Sequence, residues 1–298
     1  MKRLYKLGGI FLFFSLLAIT GFPMIIRKPG FTVSKIRSST PYDSRWVIPI
    51  SLEELSEVRA ILSQKFTYLA SGNHCYTFVS EDDDYVIKFF KQKQITSMNW
   101  KNYLPIPGRR RIRENRKKYR EKTYTSYVLA ATKLKAETGT IYLHLTSSPH
   151  FSHPLLLIDQ HGKSHSINLN KAEFLLQKRA QIGFAYLDRM LEQAKVEEAA
   201  VAIDSLFSLV AKRCSLGLLD DDCQLWKNFG FREGKAIEVD IGEFRYGPSE
   251  EIAIDQQMII ISNQLSHWMD EHYPDYSFLI PEAWQKVTAN YELPWKKL

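Results

Sequence analysis

The chain has 298 residues, 45% of them hydrophobic, which is enough to build one sizeable core and too apolar for a disordered segment. Its formal net charge of +7 equals that of one stretch, Arg109–Lys122, where nine basic residues meet two acidic ones, so the remainder is balanced. That localisation argues against a nucleic-acid-binding composition. Three scattered cysteines with no CxxC and eight histidines without ligand spacing argue against a disulfide scaffold or a zinc module, and suit a reducing compartment.

In chain order, Leu7–Ile26 carries no charge and at 1.5 Å per residue spans about 30 Å, the thickness of a bilayer core. Lys2, Arg3 and Lys6 precede it, and Arg27 and Lys28 follow. It reads as an uncleaved membrane anchor, with a cleaved signal peptide as the alternative because Gly21 and Pro23 make its end irregular. Lys35, Arg37 and Arg45 make the C-terminal flank the more basic one. This predicts an inner-membrane, single-pass protein with its soluble part in the cytoplasm. Gly30–Tyr42 reads as a polar linker, and Ser51 with Glu54 as a capping box opening a short helix.

Thr67–Ala70, Tyr76–Ser80 and Tyr85–Phe90 read as strands, the first two flanking a polar loop, Ser71-Gly72-Asn73. Glu114–Ala136 lacks Gly and Pro and repeats Tyr124, Tyr127, Val128, Ala131 and Leu134 at helical spacing. Glu121 extends that face, and Glu114 falls on it at the helix start. Thr140–Leu145 and Pro154–Asp159 read as further strands. Leu175–Leu191, Ala199–Cys214 and Ile252–His272 read as helices. Between the last two, Phe229–Val239 is a hairpin with a Gly234-Lys235 turn. The acidic run Asp220-Asp221-Asp222 precedes it and Asp240-Ile241-Gly242 follows it. The hairpin carries Asn228 and Asp240 to the same end of two paired strands. Hard oxygen ligands placed that way suit Mg²⁺ bound to nucleotide phosphates.

These segments, together with Val86-Ile87-Lys88, resemble the protein-kinase-like superfamily, as an atypical bacterial kinase or a pseudokinase. The resemblance spans roughly residue 66 to the C-terminus, with specific motifs in two short stretches. It implies an α+β, two-lobed fold preceded by the membrane helix. An antiparallel five-stranded N-terminal lobe with one helix would join a compact helical C-terminal lobe. The divisions would be 1–28 anchor, 29–50 linker, 51–161 N-lobe and 162–298 C-lobe, with Gln160–Gly162 as the hinge whose backbone holds adenine. It implies ATP and Mg²⁺ as cofactors. Lys88 would sit on the phosphates, paired with Glu121; Ser71, Gly72, Asn73 and Gly162 would line the nucleotide. Asn228 and Asp240 would hold the metal, and Asp222, with Asp220 second, would orient the acceptor.

The chain departs from that pattern in three places. The His-Arg-Asp triplet is replaced by three aspartates, with Asp222 six residues before Asn228. The phosphate loop has one glycine, and little room follows Asp240 for an activation segment. A non-catalytic binding module at the membrane is therefore the alternative function. The implied partners are a nucleotide, an unidentified protein, lipid or small-molecule acceptor, and anionic lipid at the Arg109–Lys122 stripe, rather than nucleic acid.

Overall fold

The computed structural model describes residues 30–92, 109–247 and 250–290. The expected anchor at Leu7–Ile26 lies outside them, and among the described residues no helix is long and apolar enough to cross a membrane.

The architecture is mixed α+β. A short helix α1 (Leu52–Ile61) opens on the Ser51/Glu54 capping box. It is followed by strands β1 (Phe66–Ser71), β2 (Cys75–Ser80) and β3 (Tyr85–Phe90), and then by the 25-residue helix α2 (Arg109–Lys133). Strands β4 (Thr140–His144), β5 (Leu155–Ile158), β6 (Ser164–Ile167) and β7 (Phe174–Lys178) complete a seven-stranded sheet in the order β4-β7-β3-β2-β1-β5-β6. All its pairings are antiparallel except β1 with β5, where Phe66 faces Leu157.

Two expectations are corrected here. The sheet has seven strands instead of five, because Ser164–Ile167 pairs back on β5 as β6 and Phe174–Lys178 enters between β4 and β3 as β7. Gln160-His161-Gly162 is the tip of that hairpin, where Gly162 has a φ of 79° and donates its N–H to Asp159. Gly162 is therefore no hinge and lies far along the sheet from the strand that leaves it. Strands β6 and β7 continue the same sheet beyond residue 161, and the chain leaves it only after Lys178.

The segment expected as one helix, Leu175–Leu191, divides accordingly. It comprises β7, a two-residue strand β8 (Gln181–Ile182) and helix α3 (Ala185–Glu192), separated by Gly183 at φ 65°. A Cβ on Gly183 would stand 2.4 Å from the Trp226 carbonyl oxygen, so only glycine lets the chain turn there.

The second half is largely helical: α4 (Val196–Ser215), α5 (Leu225–Asn228), α6 (Glu250–His272) and α7 (Leu279–Asn290). Strand β9 (Leu218–Asp220) pairs with β12 (Phe244–Tyr246), while β10 (Phe229–Arg232) and β11 (Lys235–Glu238) form the expected hairpin and bind β8. Two cores result. Leu187, Ile203, Leu206, Phe207, Phe229 and Leu265 centre one among the helices. The other joins α2 to the sheet through Tyr124, Tyr127, Phe90 and Leu175, and it takes in Ile241 and Phe244. Burying each of those last two side chains is worth about 1.5–3 kcal/mol, which ties the loop after β11 to α2.

Candidate functional site

Where β3, the β1–β2 loop, the crossing after β7 and the β10–β11 hairpin meet, they enclose a cavity of about 1400 Å³. Lys88, Ser71, Gly72, Asn73, Asp220, Asp222, Asn228 and Asp240 all line it. Neither Glu121 nor Gly162 does.

Lys88 stands in β3 opposite Thr77 of β2 and Leu175 of β7, and its neighbours Ile87 and Phe89 are buried on the other face. Its Nζ donates to the Val239 carbonyl at 2.6 Å, one residue before Asp240. Burial pushes its ammonium below the usual lysine range, and the Asp240 charge works against that shift. The expected pairing with Glu121 is corrected. The Glu121 carboxylate lies 3.7 Å from the Arg45 guanidinium, on the face of α2 covered by the N-terminal segment. On the face of α2 towards Lys88 stands Tyr127, whose hydroxyl lies 3.9 Å from Cys75 Sγ and whose ring borders Gly242. Burial holds both the tyrosine and the thiol neutral, the latter pushed up to about 12.

The three adjacent aspartates avoid mutual repulsion by facing different partners. Asp220 ends β9 and is buried; its Oδ1 accepts the Asp222 N–H at 3.0 Å, which shapes the turn. Asp221 accepts from Arg245 Nε at 2.5 Å and lies 3.5 Å from Lys122. Asp222 accepts from Lys227 at 2.9 Å and Gln224 at 2.7 Å. Partial burial opposes the Asp222 charge, yet the bonds from Lys227, Asn228 and Gln224 hold its carboxyl below the usual range. Of the two candidates to orient an acceptor, Asp222 is thus the accessible one and Asp220 a buried turn former.

Behind this loop, Arg213 of α4 is fully buried. It donates to Glu238, at the end of β11, and at 2.6 Å to Gln257 of α6, which also accepts the Asp220 N–H. Burial pushes the Glu238 carboxyl up to about 8 against the pull of Arg213. Among the described residues, Asp220 Oδ2 and Glu238 Oε2 find no hydrogen-bond donor. One arginine thereby braces both the acidic loop and the strand that delivers Asp240.

The loop between β11 and β12 is fixed at several points. The Val239 N–H donates to the Asn228 carbonyl at 2.7 Å. Ser126 of α2 donates to the Ile241 carbonyl at 2.5 Å and accepts the Phe244 N–H at 2.7 Å. Asn228 gives its side-chain N–H to the Asp222 carbonyl, which leaves its amide oxygen as its acceptor atom. No cluster of three His, Cys, Asp or Glu fit to hold a metal occurs among the described residues. The Asn228 amide oxygen and the Asp240 carboxylate would suit a hard cation whose remaining ligands were phosphate and water.

The β1–β2 loop is braced from outside. Lys91 donates to Ser71 Oγ at 2.8 Å and to the Gly72 carbonyl, and His74 bonds the Tyr119 hydroxyl of α2. Sequence reasoning missed the crossing residues Arg179, Gln181 and Ile182, and also Trp226 and Lys227. Gly230 was the available signal for the crossing. A Cβ there would lie 2.8 Å from the Gln181 carbonyl oxygen, so β10 must carry glycine where the crossing passes over it. Trp226, 60% exposed in the cavity wall, lies between Asp222 and Asn228 and was legible as a large apolar residue in an acidic loop.

Comparison with solved structures finds WbdD bound to a kinase inhibitor, at 15% identity and a TM-score of 0.35, over 76% of this chain and 46% of that one. It also finds the bifunctional kinase-methyltransferase WbdD, at 17% and 0.34 over 74% and 43%. Rv3197 from Mycobacterium tuberculosis, in complex with erythromycin, matches at 15% and 0.31 over 80% and 61%. The chain thus spans under half the length of the WbdD chains. No protein-family model and no curated protein matches it. Values this low leave function to be argued from the residues themselves.

Proposed function

We propose that the protein is an ATP- and Mg²⁺-dependent phosphotransferase of the protein-kinase-like superfamily, with two lobes meeting at Arg179–Ala180. The observation that carries this reading is the meeting at one cavity of Lys88, from β3, with Asn228 and Asp240, which flank the β10–β11 hairpin far along the chain. Lys88 would hold the phosphates, whose charge offsets the cost of its burial. Asn228 and Asp240 would hold Mg²⁺, which neutralises charge on the transferring phosphoryl group. Asp222 would orient the acceptor hydroxyl. A carboxylate held below its usual range is a weak proton acceptor, so its contribution would be positioning. The crossing backbone would hold the adenine. Thermal shift with ATP and Mg²⁺ tests the binding step. A stabilisation that needs the metal and weakens at least about tenfold in affinity in Asp240→Asn supports the reading, because an amide replaces a charged ligand. An equal, metal-independent response in both chains would end it.

The second reading is a pseudokinase acting as a binding module. Glu121 paired with Arg45 favours it, since Lys88 then lacks a helix carboxylate, as does the single glycine of the phosphate loop. Incubation with labelled ATP separates the two: nucleotide bound but never transferred or hydrolysed would identify the pseudokinase.

The proposal includes the membrane. Leu7–Ile26 would anchor the chain in the inner membrane, with the remainder cytoplasmic, where ATP is found. Exposed Lys117 and Lys118 of the basic stripe would then meet anionic headgroups, at about 1 kcal/mol per residue near the surface. Protease digestion of intact spheroplasts tests this; removal of the domain from outside would reverse the topology.

A further inference from the structure

Residues 32–48, expected as part of a free linker, are packed along α2. The Ser38 N–H donates to the Lys171 carbonyl at 2.8 Å, and Arg37 bridges Ala172 beside β7. Ser38 Oγ donates at 2.6 Å to Glu173, a buried carboxylate that also accepts Gln92 at 2.8 Å and the Tyr124 hydroxyl of α2 at 2.5 Å. Trp46 stands edge-on to the Tyr124 ring, with centroids 5.2 Å apart. Arg45 meets Glu121, one helical turn before Tyr124. The Asp43 N–H donates to Thr146 Oγ1 at 3.0 Å, fixing the segment to the chain after β4.

The same stretch of α2 presents Ser126 and Tyr127 to the loop that carries Asp240, and Lys122 to Glu243 at 2.6 Å. Tyr124 and Ser126 are two residues apart on one rigid helix. A displacement of α2 that opens the Trp46–Tyr124 contact therefore also moves Ser126 against Ile241 and Phe244. A helix contacted on both sides transmits position in this way without any change of its own shape.

We propose that Trp46 and Ser38 are positioning residues: the strap they belong to seats α2, and through Ser126 it sets the loop that carries Asp240. The consequence for nucleotide binding rests on the phosphotransferase reading, whereas the coupling itself does not.

Amide hydrogen exchange on the full chain tests the coupling, with the Phe244 N–H as reporter because Ser126 accepts it. Trp46→Ala should speed exchange over residues 241–244 by roughly tenfold while β2 and β3 keep their rates, as expected for local rather than global opening. Trp46→Phe, which keeps an aromatic edge on Tyr124, should restore the slow rate. Ser38→Ala, a milder change, should give the same pattern at smaller amplitude should Trp46→Ala fail to fold. Faster exchange in the strap alone, with residues 241–244 unchanged, would overturn the proposal. So would a uniform rise across the sheet that Trp46→Phe leaves in place. Mg²⁺–ATP titration of the same variants adds the functional arm, with affinity expected to fall in step with the loop's protection. A wild-type chain that binds no nucleotide would end the phosphotransferase reading and leave the exchange result to decide the strap.

Discussion

Two sets of charges frame the cavity and differ in kind. On its inner side, Arg213, Glu238 and Asp220 are buried, and Arg213 also donates to Gln257. At its mouth, Lys122, Lys227 and Arg245 meet Asp221, Asp222 and Glu243 with about a third to a half of each side chain exposed. A buried charge without its partner is costly, so the inner set specifies one arrangement of the strands around it. An exposed pair is screened and exchangeable, so the outer set can give up a partner to an incoming ligand at small cost. The division places rigidity under the site and adjustability at its entrance.

The sharpest way to break the comparison is Arg213→Ala. It leaves Glu238 and Asp220 facing each other without a counter-charge and should cost about 3–5 kcal/mol in urea unfolding. Glu238→Gln should cost distinctly less, because burial already pushes that carboxyl above its usual range and the amide oxygen still accepts from Arg213.

Buried polarity in the sheet offers the next effect. The His144 ring bonds the Ala172 carbonyl at 2.7 Å and Ser148 at 2.8 Å, and burial pushes its pKa down to about 4. A group whose folded pKa is depressed stabilises the fold above its unfolded pKa and loses that contribution as pH falls. Stability should therefore drop between pH 6.5 and 4, by at most about 3 kcal/mol, and level off below. Unfolding measured across this range in wild type and His144→Gln checks it, since the variant should lose that slope.

Ser126→Ala removes both bonds to the loop that carries Asp240 and should cost about 1–3 kcal/mol; under the phosphotransferase proposal it should also reduce cation-dependent nucleotide affinity. Lys122→Ala marks the small end. Its partners are exposed, so the expected loss is under about 1 kcal/mol and should vanish in high salt. A salt-resistant loss there would show that the outer set is structural after all.

The legible parts of this chain were those where one local pattern answered to one element. Strand β3 and the β10–β11 hairpin fall where their apolar runs and the Gly234 turn placed them, and the helix around Tyr124 falls where its periodicity put it. Leu175–Lys178 was misread because two apolar residues before a polar stretch fit a strand and a helical turn alike, so nothing local separated it from the helix that follows. Gln160–Gly162 does form a turn, but whether a turn returns the chain to the same sheet depends on pairing partners elsewhere. The Glu121 face of α2 was recognised as a contact face. What it contacts, Arg45 and Trp46, belongs to a segment whose composition reads as linker and whose order comes from Glu173, over 130 residues further on. The Arg213 brace was equally invisible, since nothing local distinguishes an arginine that will be sealed in from one at the surface.

The turn from β11 to β12 has a thermodynamic consequence. Only Val239–Glu243 separate the two strands, and Asn228, Lys88 and Ser126 hold them along the way. Ordering a free loop costs about 1–2 kcal/mol per residue at the moment of binding. Here that entropy is lost during folding, before any ligand arrives. Under the proposed function, a cation reaching Asp240 would therefore have its own water to shed and no polypeptide to organise.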